Sequence, residues 1–230
     1  MTMYYSYDIF YILTIVLFFV SMICSGVVRS LFNRYSKDRT YNGMTGAMAA
    51  ERILRANGIT DVTIVQTAGT LTDNYNPSNH TLNLSQSVYG GQNISAVAVA
   101  AHECGHAIQH AQAYPLLMLR KALVPVCNIG SIGSYIAILL GIFFSQSGLI
   151  MLGAVLFSGI VLFNLVTLPV EVDASRRAMA EVDRLGLLTD EERSGGRKVL
   201  FAAGMTYFIS LMTSIVQLLR LLSIANSRRR

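Results

Sequence analysis

The sequence predicts a mainly α-helical membrane protein: about four transmembrane helices and a small α+β part carried between them. Two observations predict it. The 230 residues are 53% hydrophobic and only 13% charged, with a mean hydropathy of +0.48, whereas about a quarter of a soluble domain is charged. The charges are also segregated, so that long stretches hold none and the segments between them hold nearly all.

The first element is the run 9–28, bounded by Asp8 and Arg29, whose only ionisable side chains are Tyr11 and Cys24. About 20 apolar residues suffice for a helix to cross the hydrocarbon core. The polar segment 29–121 follows. In it "GMTGAMAAERILRANG" (43–58) has helical spacing and ends at a glycine, a stop signal. "VTIVQ" (62–66) and "TLNLS" (81–85) alternate like short strands. "ISAVAVAAHECGHAIQH" (94–110) reads as a helix, with Ser95 as its expected N-cap and no breaker before Gly105. Residues 122–170 lack Asp, Glu, Lys, Arg and His, and are long enough for a hairpin of two spans. Its expected break is "FFSQSG" (143–148), and the small residues of "NIGSIGSY" (128–135) suit close helix packing. Segment 171–198 is polar and helical in pattern, with Pro169 just ahead, where a helix can begin. The last element, 199–222, crosses the membrane or lies against its interface.

Charge gives the orientation. Segment 29–121 carries Arg29, Arg34, Lys37, Arg39, Arg52, Arg55, Arg120 and Lys121; segment 171–198 carries Arg176, Arg177, Arg184, Arg193, Arg197 and Lys198. A two-span hairpin returns the chain to the same side, and the positive-inside rule makes that side cytoplasmic, with the N-terminus outside. The tail "SRRR" (227–230) disagrees, since a full fourth crossing would put it outside. The net charge of +5 comes from residues flanking the spans, so it speaks for a lipid bilayer and against nucleic acid. Cys24, Cys104 and Cys127 suggest no disulfide framework. The start "MTMYYSYD" lacks the basic region of a secretory signal. Asn79, Asn83 and Asn93 lie in sequons, to which a cytoplasmic loop gives no role.

Three of the four histidines fall in "AAHECGHAIQH" (100–110). His102 and His106, four apart, share one face of a helix and can close on one ion. Glu103 is one step round, placed to reach a water on that ion rather than to bind it. In the H-E-x-x-H arrangement of zinc hydrolases the ion activates the water and the glutamate takes its proton. The apolar "AVAVAA" before the motif implies a buried helix, where ionisable groups are costly unless paired or metal-bound. His110 continues the same face but lies about 12 Å from His102 along the axis, too far for one shared ion. It is expected to support the site or face solvent. The longer metzincin pattern fails, with Gln109 and Gln112 at its glycine and last histidine positions.

The third ligand must come from a distance. Glu171 and Asp173 are the first acids after the hairpin, about 200° apart on a helix, so both do not bind directly. Gluzincins take a glutamate from a later helix, which favours Glu171. Asp173 is expected to orient a histidine through its free ring nitrogen, or simply to be a charge near a helix N-terminus.

On "YNPSNHTLNLSQSVYGG", "AVAVAAHECGHAIQH", "LPVEVDASRRAMAEVDRLGLLT" and "GGRKVLFAAGMTYFISL", the chain resembles the putative neutral zinc metallopeptidases of bacterial membranes, the YugP-like family. With the spans between them these stretches cover nearly the whole chain. The resemblance implies a membrane-embedded zinc endopeptidase with a zincin-like catalytic part, 29–121. It implies Zn2+ on His102, His106 and Glu171, Glu103 as general base, and a bacterial cell membrane with the site on its cytoplasmic side. The partner it implies is a polypeptide substrate, membrane-associated or unfolded; the oligomeric state is not indicated. More distantly the chain resembles membrane quality-control and prenyl-protein zinc proteases. Those carry an aspartate four residues after the glutamate, where this chain has Ser175. The resemblance also suggests that "TLNLS" is an edge strand for substrate, and that Tyr207 steadies an oxyanion.

Other functions fit less well. An intramembrane protease needs its H-E-x-x-H inside a span, and the apolar run before His102 is too short. A zinc transporter needs ligands within the spans, which hold no histidine or acid. A zinc-stabilised scaffold without activity remains the alternative, but it needs no Glu103 and is usually closed by four protein ligands.

Overall fold

The computed structural model describes residues 2–227, so the basic tail 228–230 lies outside the described residues. In chain order the elements are α1 (Thr2–Tyr35), α2 (Gly46–Ala56), β1 (Thr63–Thr67), β2 (Asn74–Asn76), β3 (Thr81–Ser85), α3 (Gln86–Tyr89), α4 (Ile94–Ala111), α5 (Pro115–Phe143), α6 (Ser147–Arg184) and α7 (Asp190–Ser227). Among the described residues four helices are long and apolar enough to cross a membrane: α1 from Ile9 onward, α5, α6 and α7. Proline opens α5, where its missing N–H costs nothing. The α5–α6 turn falls within 143–148, with Ser145 in the left-handed region.

Two expectations are corrected in the long helices. No helix begins at Pro169: α6 continues through it to Arg184, so Glu171 and Asp173 lie in mid-helix. Proline's fixed φ is helical, and the single hydrogen bond it forfeits does not break an otherwise continuous ladder. Asp173 is therefore not a helix N-terminal charge. Similarly, the helix that holds 199–222 does not begin there but runs unbroken from Asp190.

The chain forms two compact units. One comprises Met118–Pro169 with the described parts of Met1–Ile23 and Thr206–Arg230. Within it Ser134 Oγ donates to Gly153 O at 2.8 Å, and Ala154 and Phe157 pack with Leu221. The Arg220 guanidinium lies 5.4 Å from the Tyr11 ring. Large apolar side chains such as Ile129 and Phe143 point outward, as a lipid-facing surface requires.

The other unit comprises Cys24–Leu117 and Val170–Met205. Helix α4 runs through its core, lined by Ala96, Val97, Ala100, Ala101 and Cys104, with Ala49, Ala50, Ile53 and Leu54 of α2 in the same cluster. The N-cap of α4 is Asn93, not Ser95: Asn93 is extended and its side chain accepts from Ala96 N at 2.9 Å. Ser95 instead donates to Phe32 O at 2.8 Å, tying α4 to α1. The sheet has the order β1-β3-β2, with β1 parallel and β2 antiparallel to β3. The expectation of "TLNLS" as an edge is thereby overturned. It is the central strand, with Leu82 and Leu84 fully buried and both backbone edges paired. Among the described residues the open edges belong to β1 and β2.

Candidate metal centre

Helix α4 presents His102 and His106 one turn apart, their rings edge to face with centroids 4.8 Å apart. Helix α6 crosses behind them at Gly105, where a Cβ would lie 2.3 Å from the Ala174 carbonyl oxygen. The missing side chain between the two histidines is what lets the α6 backbone approach. Glu171, three residues before Ala174, then reaches both rings: its Oε2 is 3.3 Å from His102 Nε2 and 3.5 Å from His106 Nε2. The three ligand atoms all lie within 4.8 Å of one another.

This donor set fits zinc. Two imidazole nitrogens and a carboxylate oxygen are zinc ligands, and bonds of about 2.0–2.1 Å to a tetrahedral ion set neighbouring donors about 3.3 Å apart. The observed 3.3 and 3.5 Å match that edge. Three protein ligands leave one position for water or substrate, the pattern of catalytic rather than structural zinc.

Each ring is held from behind. His102 Nδ1 is 3.0 Å from Ser175 Oγ, and His106 Nδ1 is 3.0 Å from Gln109 Oε1. The Gln109 amide nitrogen donates to Val170 O at 2.9 Å and to Asp173 Oδ2 at 3.0 Å. With its nitrogen so committed, Gln109 offers His106 only an acceptor. His106 therefore carries a proton on Nδ1, and its Nε2 faces Glu171. Arg176 and Arg177 donate to Asp173 in turn, and Arg177 reaches Gln112. The expected contact of Asp173 with a histidine is thus corrected: it acts one step back, by fixing Gln109. The group that touches His102 is Ser175.

Glu103 is buried, at 8% exposure, on the same helix. Burial holds its carboxyl above the ordinary carboxylate value; His102 and His106 pull it down, and Glu171 and Asp73 push it up. Burial alone would lower His106, but hydrogen bonding and charge from Glu171 raise it above an ordinary imidazole.

His110 is not among the three convergent ligands; its Nδ1 lies 2.8 Å from the Tyr75 hydroxyl. Tyr207 is half-buried on α7, in the compact unit that does not hold the ligands. Sequence reasoning missed Gln109 and Gly105 as parts of the site. Their signal was spacing: Gln109 is three residues beyond His106, within reach of its ring on a helix, and Gly105 is the one residue in the motif without a side chain.

Comparison with known proteins agrees with the geometry. Residues 10–226 match the family described as "Putative neutral zinc metallopeptidase". A relative from Bacillus subtilis (strain 168), "Putative membrane protease YugP", is 42% identical over 216 residues, covering 94% of this chain and 96% of the relative. No solved structure matches the chain.

Proposed function

The chain belongs to the putative neutral zinc metallopeptidase family, and from that premise we propose a membrane-embedded endopeptidase that cleaves membrane-associated or unfolded polypeptides. The observation that carries the reading is the convergence of His102 Nε2, His106 Nε2 and Glu171 Oε2 beside the buried Glu103.

His102, His106 and Glu171 would hold the zinc. Bound there, zinc supplies Lewis acidity toward a water and the scissile carbonyl. Glu103 does the proton work. Its carboxylate accepts a proton from the attacking water and passes it to the departing amine, and a pKa raised by burial makes it a stronger base than an exposed carboxylate. Ser175 and Gln109 keep both imidazoles in register while charge shifts in front of them. An extended substrate would add to the outer edge of β2 by backbone hydrogen bonds. The basic flanks of the spans favour a cytoplasmic site in a bacterial membrane.

The test compares wild type with Glu103→Gln, both purified in detergent, on an unfolded casein substrate with zinc counted per chain. Loss of a proton-transfer group costs about 10²–10⁴-fold in turnover, and zinc should stay at the wild-type level. Undiminished cleavage by the variant would sink the mechanism.

A further inference from the structure

We propose that a groove between α1 and α7 binds one anionic phospholipid, with the headgroup phosphate on Lys198 and an acyl chain laid along the groove. The groove lies wholly within the unit Cys24–Leu117 and Val170–Met205. Its volume is about 370 Å³, inside the ~300–1,000 Å³ range of ligand sites. The walls follow from helix spacing. Helix α1 contributes Cys24, Val27 and Leu31, and α7 contributes Lys198, Phe201 and Met205, three or four residues apart and so one stripe on each helix. The small side chain of Ala202 leaves room between the α7 residues, and Cys24 Sγ meets the Ala202 carbonyl oxygen at 4.0 Å to form the floor. One turn before Lys198 the helices close up again, where a Cβ on Gly195 would lie 2.7 Å from Tyr35 Cε1.

Charge decides the occupant. Lys198 is the one charged residue lining the groove; it is exposed, and it has no carboxylate partner among the described residues. It also marks a membrane level. The uncharged run of α7 begins at Val199, and that of α1 ends at Arg29, so Lys198 stands where headgroups lie. Met205 and Cys24 are further inside those runs, and the groove leads from an ammonium group towards hydrocarbon. A negative head with an apolar tail matches both ends. A zwitterionic lipid brings a positive group beside the lysine, a soluble phosphate matches only one end, and an apolar peptide segment leaves the charge unmatched. Arg34, one turn beyond Leu31 on the same stripe, and the exposed Arg197 add positive charge nearby. One basic residue at an anionic lipid surface is worth about a five-fold preference.

The test strips full-length protein of lipid in detergent and offers phosphatidylglycerol and phosphatidylcholine with identical acyl chains. Lipid retained per chain is counted by native mass spectrometry. Wild type should hold one phosphatidylglycerol and prefer it about five-fold. Lys198→Gln should bring the two lipids to parity, while Arg52→Gln, the same loss of charge on an exposed position of α2, leaves the preference unchanged. Ala202→Leu fills the floor and should lower retention of both lipids at unchanged helix content. Should that variant not fold, Val27→Trp narrows the groove from its exposed side and should do the same. Glycerol phosphate should not displace the lipid; displacement would assign the lysine to a free phosphate and overturn the proposal. Equal retention of both lipids by wild type, or a preference that survives Lys198→Gln, would overturn it too. Neither zinc nor turnover enters these measurements, so the peptidase reading stands or falls separately.

Discussion

Helix α6 makes two close contacts of the same steric kind and uses them differently. Where it meets α4, Gly105 allows the Ala174 carbonyl to approach so closely that a Cβ would sit 2.3 Å from it. Where it meets α5, Gly153 allows Ile138 and Ser134 to approach, at 2.5 and 3.1 Å from an added Cβ. The second contact closes an apolar hairpin, and a hydrogen bond there, Ser134 to Gly153 O, satisfies a hydroxyl in apolar surroundings. Around the first contact stand His102, His106, Glu171, Asp173 and Gln109, each positioned by the crossing. Close packing sets only stability at the hairpin; at the α4 crossing it also sets where a carboxylate oxygen ends up.

The largest effect should follow from Gly105→Ala. Its nearest obstruction is backbone, which cannot rotate away, so α6 must move back from α4 and take Glu171 Oε2 out of reach of both rings. Misplacement by about 1 Å can cost about 10²-fold in rate. Zinc per chain should fall well below the wild-type level while helix content by circular dichroism is kept. A variant with full zinc and full turnover would break the comparison, because the crossing would then not set the ligand position.

Next comes Ser175→Ala, which leaves the crossing intact and removes only the hydroxyl behind His102. Loss of an orienting partner typically costs about 10–100-fold in metal affinity, measurable by competition with a zinc chelator. Asp173→Ala should cost less, because Gln109 retains its hydrogen bond to Val170 O and can still face His106. An Asp173 effect larger than that of Ser175 would reverse the order in which these two groups act.

The sequence showed the parts of the site that follow from local spacing. His102 and His106 at four residues, Glu103 between them, and the long uncharged runs all rest on helix geometry and solvent preference. Glu171 was legible as the first acid after the uncharged run 122–170. Residues that act through tertiary packing were not legible. Spacing puts Gly105 inside the motif and Gln109 within reach of His106, but that each matters follows only from α6, which brings the Ala174 carbonyl to Gly105 and Val170 O and Asp173 to the Gln109 amide. Pro169 misled because a helix-starting residue and a tolerated mid-helix proline look alike in one dimension. "TLNLS" misled because alternation marks a strand but not whether its edges are paired. Asn93 lost to Ser95 as the expected cap because both are good cap residues, and only the backbone bend decides between them.

The smallest effect, Gly153→Ala, is the control that gives the comparison its meaning. An added Cβ would press first on Ile138 Cγ1, the end of a side chain that can change rotamer, and less severely on the Ser134 carbonyl. Overpacking of this kind typically costs about 1–3 kcal/mol, and a movable nearest neighbour puts this site at the low end. The expected result is a lower melting temperature in detergent with zinc content and chelator competition as in wild type. Loss of zinc here would mean that strain in the α5–α6 hairpin is carried along α6 to Glu171. The separation between a contact that only packs and one that positions a ligand would then fail.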